Sequence, residues 1–279
     1  MRVERIFVSS TAKLDIDLSL PGITVLIMTK LALITGSAKR LGKAMALALA
    51  QDGWSIAVHY NGSKAAADET VWELKKLDVN AEAFRCDLSQ EGETNRLLGR
   101  INRHMGPINL LVNNAACFEL DRIDSATRES WDKHIETNLR APLVLSQTFV
   151  EQLPEETSGL IINMLDQRVW NLTPHFLSYT VAKAGLWTLT QTLAQALGPQ
   201  IRVNAIGPGF ALAAPNQSDE HFESRWKNTP LEKSATPDDI VNALRYLISA
   251  ESVTGQMIAL DGGQHLGWGQ VPYQKPGNT

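Results

Sequence analysis

At 279 residues, 44% hydrophobic and 20% charged, the chain has the composition of a globular protein and room for one large domain or two small ones. A formal charge of -4, with no basic stripe, excludes the electrostatic footprint of a nucleic-acid binder. Cys86 and Cys117 fit neither a disulfide framework nor a metal spacing, and the six histidines form no H-x-x-x-H, so a reducing cytoplasm and no metal are expected.

Residues 1–28 are read as an extension with no part in the fold. The apolar run at 18–28 is too short to span a bilayer and is broken by Pro21-Gly22, so no membrane association is expected. Met28 opens MTKLALITG, which reads as the natural start of a domain over 29–266, with 267–279 as a tail. From there, short apolar runs alternate with helix-length amphipathic stretches. Strands are predicted at 31–35, 55–59, 81–86, 110–113, 159–164, 202–206 and 256–260. Helices are predicted at 41–52, 64–77, 91–104, 129–152, 175–197 and 237–250. Apolar strands alternating with helices imply βαβ units with right-handed crossovers. The fold class is therefore α/β: a single Rossmann-like, doubly wound parallel sheet of about seven strands with helices on both faces. The polar stretch 210–230 reads equally as a substrate lid or a surface excursion.

Strand one runs into Thr35-Gly36-Ser37-Ala38-Lys39-Arg40-Leu41-Gly42, and a helix follows. A small-residue turn there lets backbone N–H groups approach a pyrophosphate at the helix N-terminus. Arg40 stands where the related T-G-x-x-x-G-x-G pattern has its middle glycine, and Lys39-Arg40 suits an extra phosphate. After strand two no acid occurs between His59 and Ala67 to bind a ribose 2′-hydroxyl. Ser63, with Arg40 and Lys64, is placed to hold a 2′-phosphate instead, which favours NADP(H). Tyr179 and Lys183 are four apart and share one helix face, where an ammonium lowers a phenol's pKa. Asp166 lies thirteen positions earlier.

These motifs, with Asp87-Leu88, Asn113-Asn114-Ala115, Asn138 and Pro208-Gly209 in order, resemble the short-chain dehydrogenase/reductase family over about residues 29–266. The resemblance implies hydride transfer with a nicotinamide cofactor and a dimer or tetramer, associating through the helices near 129–152 and 175–197. It implies that Gly36, Arg40, Leu41 and Ser63 line the cofactor phosphates, and Asp87 and Leu88 the adenine. Asn114 and Ala115 would line the adenosine ribose, and Pro208-Gly209 the carboxamide. Tyr179 would be the proton donor, Lys183 would bridge the nicotinamide ribose, and Asn138 would hold a relay water. Read without the family, Asp87 is a helix N-cap, Asn138 a helix-interior polar residue and Pro208-Gly209 a turn.

Asp166 replaces the family's usual serine. A hydroxyl donates to a ketone oxygen; an ionised aspartate does not. In a dry pocket Asp166 is expected either protonated or exchanging a proton with Tyr179. Asp166, Arg40 and His59-Tyr60 with a following serine resemble the pteridine and dihydromonapterin reductases, which implies a pterin substrate. Phe118 falls where that group stacks its substrate, and ordinary core packing is its other reading. Trp170 and Phe210 are further lining candidates, and Trp268 is a candidate reach into a neighbouring subunit. Gly62 and Ala116 depart from the group, standing where it has an arginine and a serine. The rival expectations are a reductase of a 3-oxoacyl group or small ketone, and a non-catalytic NADP(H)-binding sensor.

Overall fold

The computed structural model describes residues 30–212, 223–224 and 226–267. The extension at 1–28, most of the 210–230 stretch, and Trp268 with the rest of the tail lie outside those residues.

Among the described residues seven strands alternate with helices: β1 (Leu31–Ile34), β2 (Ser55–Tyr60), β3 (Ala81–Arg85), β4 (Leu110–Asn113), β5 (Gly159–Met164), β6 (Ile201–Pro208) and β7 (Met257–Leu260). The helices are α1 (Arg40–Gln51), α2 (Lys64–Lys75), α3 (Glu91–Met105), α4 (Arg128–Ile135), α5 (Ala141–Gln152), α6 (Leu177–Leu197) and α7 (Pro237–Ser249). The sheet order is β3-β2-β1-β4-β5-β6-β7, and every pairing is parallel. Leu31, Leu33, Ile161 and Val203 face one helical layer and Ala32, Ile34, Ile162 and Ile206 the other, so both faces of the sheet are covered. This alternation is why the strands read as continuous apolar runs. Strand order reverses between β1 and β4, and the crevice at their carboxyl ends is where such sheets bind ligands.

The helix expected at 129–152 is not one α-helix. It is interrupted by a π turn at Glu136–Arg140, where the Ala141 N–H bonds the Glu136 carbonyl five residues back. Pro142 supplies the cause. It lacks the N–H that would bond the Asn138 carbonyl four residues earlier, so the helical ladder opens at Asn138. β6 also runs two residues further than expected, to Pro208, where it pairs Leu260. The remaining elements begin and end within two residues of expectation.

Candidate active site

The turn after β1 is tight by construction. Gly36 adopts φ +67°, and a Cβ on Gly42 would lie 2.5 Å from the Gly36 carbonyl oxygen and 2.7 Å from Asn114 Nδ2. Lys39, the N-cap of α1, makes no side-chain cap bond, so the positive end of the helix dipole faces the turn without a side-chain cap. Arg40 replaces a glycine at φ +55°, a left-handed backbone that costs about 1–3 kcal/mol for a bulky residue. His59 braces the turn from β2. Its Nδ1 accepts the Gly36 N–H at 2.9 Å, and its Nε2 sits 3.0 Å from the Cys86 carbonyl, to which it donates. These partners fix one neutral tautomer, and burial pushes the imidazole down to about 4. The Gly36–Gly42 turn therefore fits a dinucleotide phosphate, and α1 starts where one would lie.

Thr35 holds the far wall. Its hydroxyl accepts the Asn114 and Ala115 N–H groups, each at 2.9 Å, and its carbonyl accepts Asn114 Nδ2 at 2.7 Å. Ser63 is the N-cap of α2 and makes no side-chain cap bond. Lys64 is engaged in an exposed pair with Asp68. Asp87 does not cap α3, whose N-cap is Gln90. It makes an Asx turn, accepting the Ser89 N–H at 3.0 Å and the Ser89 hydroxyl at 2.7 Å, and Leu88 beside it is buried. On the other side of the crevice, the Gly209 N–H bonds the Leu260 carbonyl at 2.9 Å. A Cβ on Gly209 would lie 2.6 Å from Asp261 Cβ, so Pro208-Gly209 is packed against the β7 end.

Tyr179, Lys183 and Asp166 come together at the carboxyl end of β5. Tyr179 Oη donates to Asp166 Oδ2 at 3.1 Å. Lys183, fully enclosed, donates to the Met164 carbonyl at 2.7 Å, and burial brings its ammonium down to about 8. The expectation that Lys183 depresses the Tyr179 phenol is corrected here. Burial first, then the Asp166 charge, raise it well above its ordinary value, so Tyr179 is held as the protonated phenol. Asn138, completely buried in the π turn, clamps Cys117: its Oδ1 accepts the Cys117 N–H and its Nδ2 donates to the Cys117 carbonyl, both at 2.8 Å.

Phe118 follows directly. It is 47% exposed, so core packing is not its role. It stacks on Phe176 at 4.3 Å and 10°, and meets Tyr179 edge-on at 4.7 Å. Trp170, also partly exposed, packs on Trp187 and His265 instead. Phe210 is half-buried at the end of β6, its carbonyl bonded to the Ala235 N–H.

Three features escaped the sequence reading. Arg168 pairs with Asp166, Nη1 to Oδ2 at 2.8 Å, while its own N–H bonds Oδ1 at 2.9 Å. Asp166, expected to be protonated or to share a proton with Tyr179, is thus ion-paired. Phe176 caps α6 at φ +58°, a strained setting for an aromatic residue. Last, a buried chain runs from His134 Nδ1 to Ser178 Oγ at 2.6 Å and on to Asp121, with His134 Nε2 accepting the Glu119 N–H at 3.1 Å. It ties the residue after Phe118 to the residue before Tyr179. Burial holds His134 below its ordinary value, and burial of Asp121 is outweighed by hydrogen bonds from Ser178 and Ser130 that keep its carboxyl low.

Known proteins resemble this chain over most of its length. The family described as enoyl-(acyl carrier protein) reductase matches residues 36–265. The 3-oxoacyl-[acyl-carrier-protein] reductase FabG of Staphylococcus epidermidis is 32% identical over 86% of this chain and 100% of its own. Among solved structures, FolM alternative dihydrofolate reductase 1 from Brucella suis, in complex with NADP, is 41% identical with a TM-score of 0.83, covering 87% of this chain and 97% of that one. A blue fluorescent protein from a metagenomic library, in complex with NADPH, is 28% identical with a TM-score of 0.78, covering 84% and 97%. With the ordered motifs on one parallel sheet and these matches along most of its length, the chain belongs to the short-chain dehydrogenase/reductase family.

Proposed function

We propose that this oxidoreductase is an NADPH-dependent reductase of a pterin-type C=N bond, taking a dihydropterin to its tetrahydro form. The observation that carries the reading is the Tyr179–Asp166 hydrogen bond beside a half-exposed Phe118 ring. A carboxylate only accepts hydrogen bonds, so it suits a ring edge rich in N–H groups and offers nothing to a ketone oxygen. The Phe118 face gives a planar heterocycle a stacking surface. The solved relative named as an alternative dihydrofolate reductase supports the same substrate class.

When bound, NADPH supplies the hydride. The absence of an acid after β2 favours the 2′-phosphate, with Arg40 and Ser63 at that end of the crevice, and two solved relatives carry NADP or NADPH. Asp87 and Leu88 line the adenine, Asn114 and Ala115 the ribose, and Gly36 and Leu41 the phosphates. Pro208 and Gly209 hold the carboxamide. Tyr179 gives its proton to the ring nitrogen, and its raised pKa keeps that proton in place until substrate arrives. Lys183 orients the nicotinamide ribose, and Asn138 holds Cys117 and the relay behind it. Phe210 closes the substrate side. The protein works in the cytoplasm as a homodimer or homotetramer, joined through α5 and α6, where Val150 and Val181 are exposed.

Reduction of a carbonyl, such as a 3-oxoacyl group, is the second reading. The FabG relatives favour it. The test is NADPH oxidation with dihydrobiopterin, dihydromonapterin, dihydrofolate, a 3-oxoacyl thioester and small ketones. Turnover of a dihydropterin supports the first reading; turnover of carbonyls alone replaces it with the second.

A further inference from the structure

We propose that Arg168 is the counter-ion that allows an aspartate to stand beside the proton-donating tyrosine, a positioning residue that acts through Asp166 and Tyr179. The proposal rests on Tyr179 being the proton donor. In the reduction a hydride from NADPH joins the ring carbon, the Tyr179 O–H bond breaks, and its proton joins the adjacent ring nitrogen. A phenolate is left at Tyr179, to be reprotonated from solvent. That oxygen lies 3.1 Å from the Asp166 carboxylate. Two anions at this distance, in a site largely closed to water, oppose each other strongly. With a serine in place of Asp166 the lysine alone would balance the phenolate; with aspartate a second cation is required.

Lys183 does not fill both needs. It is buried, it is committed to the Met164 carbonyl, and its Nζ is 5.8 Å from the Tyr179 ring centre. Arg168 is the second cation. Its side chain is only 11% exposed, and a guanidinium does not deprotonate in a protein. Both Asp166 oxygens are held by Arg168, one by its backbone and one by its Nη1. The guanidinium carbon sits 5.5 Å from the Phe118 ring centre and 5.2 Å from that of Phe176, so it lies alongside the stacked ring pair. The ionisable neighbours on the packed elements are Asp166 beside the short 3-10 turn Gln167–Val169, and Tyr179 and Lys183 on α6. His134 on α4 lies against the Tyr179 ring with Asp121 behind Ser178, and His265 with Asp261 lies beyond Trp170.

The test compares wild type, Arg168→Met, Arg168→Lys, Asp166→Ser and the double variant Asp166→Ser/Arg168→Met. Each is assayed for dihydropterin reduction between about pH 6 and 9, with NADPH binding followed by fluorescence as proof of folding. Arg168→Met is expected to lower kcat/KM about a hundredfold at alkaline pH. Arg168→Lys should recover most of the activity. In the Asp166→Ser background, read on a small ketone whose reduction that variant keeps, the same Met substitution should cost no more than about threefold. A loss equal in the Met and Lys variants would overturn the proposal. So would an equal loss with or without Asp166. If Arg168→Met does not purify, Arg168→Gln takes its place in the same comparison.

A wild type that turns over no dihydropterin would sink the substrate reading alone. The counter-ion is then read from the titration of the 13C-labelled Tyr179 phenol, assigned against Tyr179→Phe. Arg168→Met should move it to higher pH, and coincident titrations would overturn the proposal.

Discussion

Acidification should destabilise this protein through His59. The ring is buried with both nitrogens used, one accepting from the Gly36 N–H and one donating to the Cys86 carbonyl. A proton on Nδ1 removes the acceptor and places a charge in a buried site, where the nearby Asp87 charge offsets only part of the desolvation. In the folded protein the imidazole titrates at about 4, against 6.5 when exposed. The unfolded chain therefore takes up a proton below 6.5 that the folded one refuses. The stabilisation is complete above that pH, declines as the pH falls, and is gone near 4. A gap of about 2.5 pH units at about 1.4 kcal/mol each gives roughly 3 kcal/mol. His134, held low by burial, adds a loss of the same sign, so the His59 share must be isolated. Urea unfolding of wild type and His59→Gln between about pH 4 and 7.5 does this. The glutamine variant should be less stable near neutrality, since the Gly36 N–H loses its partner, but its curve should be flatter by roughly 3 kcal/mol. Parallel curves for the two proteins would refute the reasoning. NADPH affinity should fall over the same pH range in wild type, because the phosphate turn hangs on this ring.

Three further outcomes follow from the site. Gly42→Ala places a methyl group 2.5 Å from the Gly36 oxygen, so NADPH affinity should drop at least about tenfold while the fold survives, as read by fluorescence and circular dichroism. Tyr179→Phe removes the proton donor but little volume, so kcat should fall about 10²–10⁴-fold with NADPH binding retained. Ser178→Ala cuts the chain between His134 and Asp121, and should cost about 1–3 kcal/mol of stability in thermal unfolding and raise the substrate KM, because Phe118 and Tyr179 lose their common brace. Unchanged KM and melting temperature would remove that role.

The crevice was legible because its residues sit at strand ends in chain order. A glycine turn after β1, Asp87 after β3, Asn114 after β4 and Gly209 after β6 all depend on local backbone demands that sequence displays. What stayed hidden depends on side chains meeting across distance or on a single bend. The π turn was foreshadowed by Pro142, but the apolar periodicity runs through it and masked the break. Arg168 stands two residues after Asp166, and nothing in the spacing says that a short 3-10 turn folds its guanidinium back onto that carboxylate. Phe176 reaches Phe118 only through a left-handed backbone that aromatic residues rarely adopt. The Tyr179 phenol was misjudged because the i, i+4 lysine was counted and burial was not. In the fold Lys183 turns to Met164, and desolvation with Asp166 decides the sign.

The central claim is that Asp166 beside Tyr179 selects a pterin C=N bond over a carbonyl. Its most direct measurement is kcat/KM for a dihydropterin and for a small ketone, with NADPH, in wild type and Asp166→Ser. The account predicts dihydropterin turnover in wild type that collapses in the variant, with ketone reduction unchanged or raised. Dihydropterin turnover that survives the substitution, or a wild type that reduces only ketones, would contradict it.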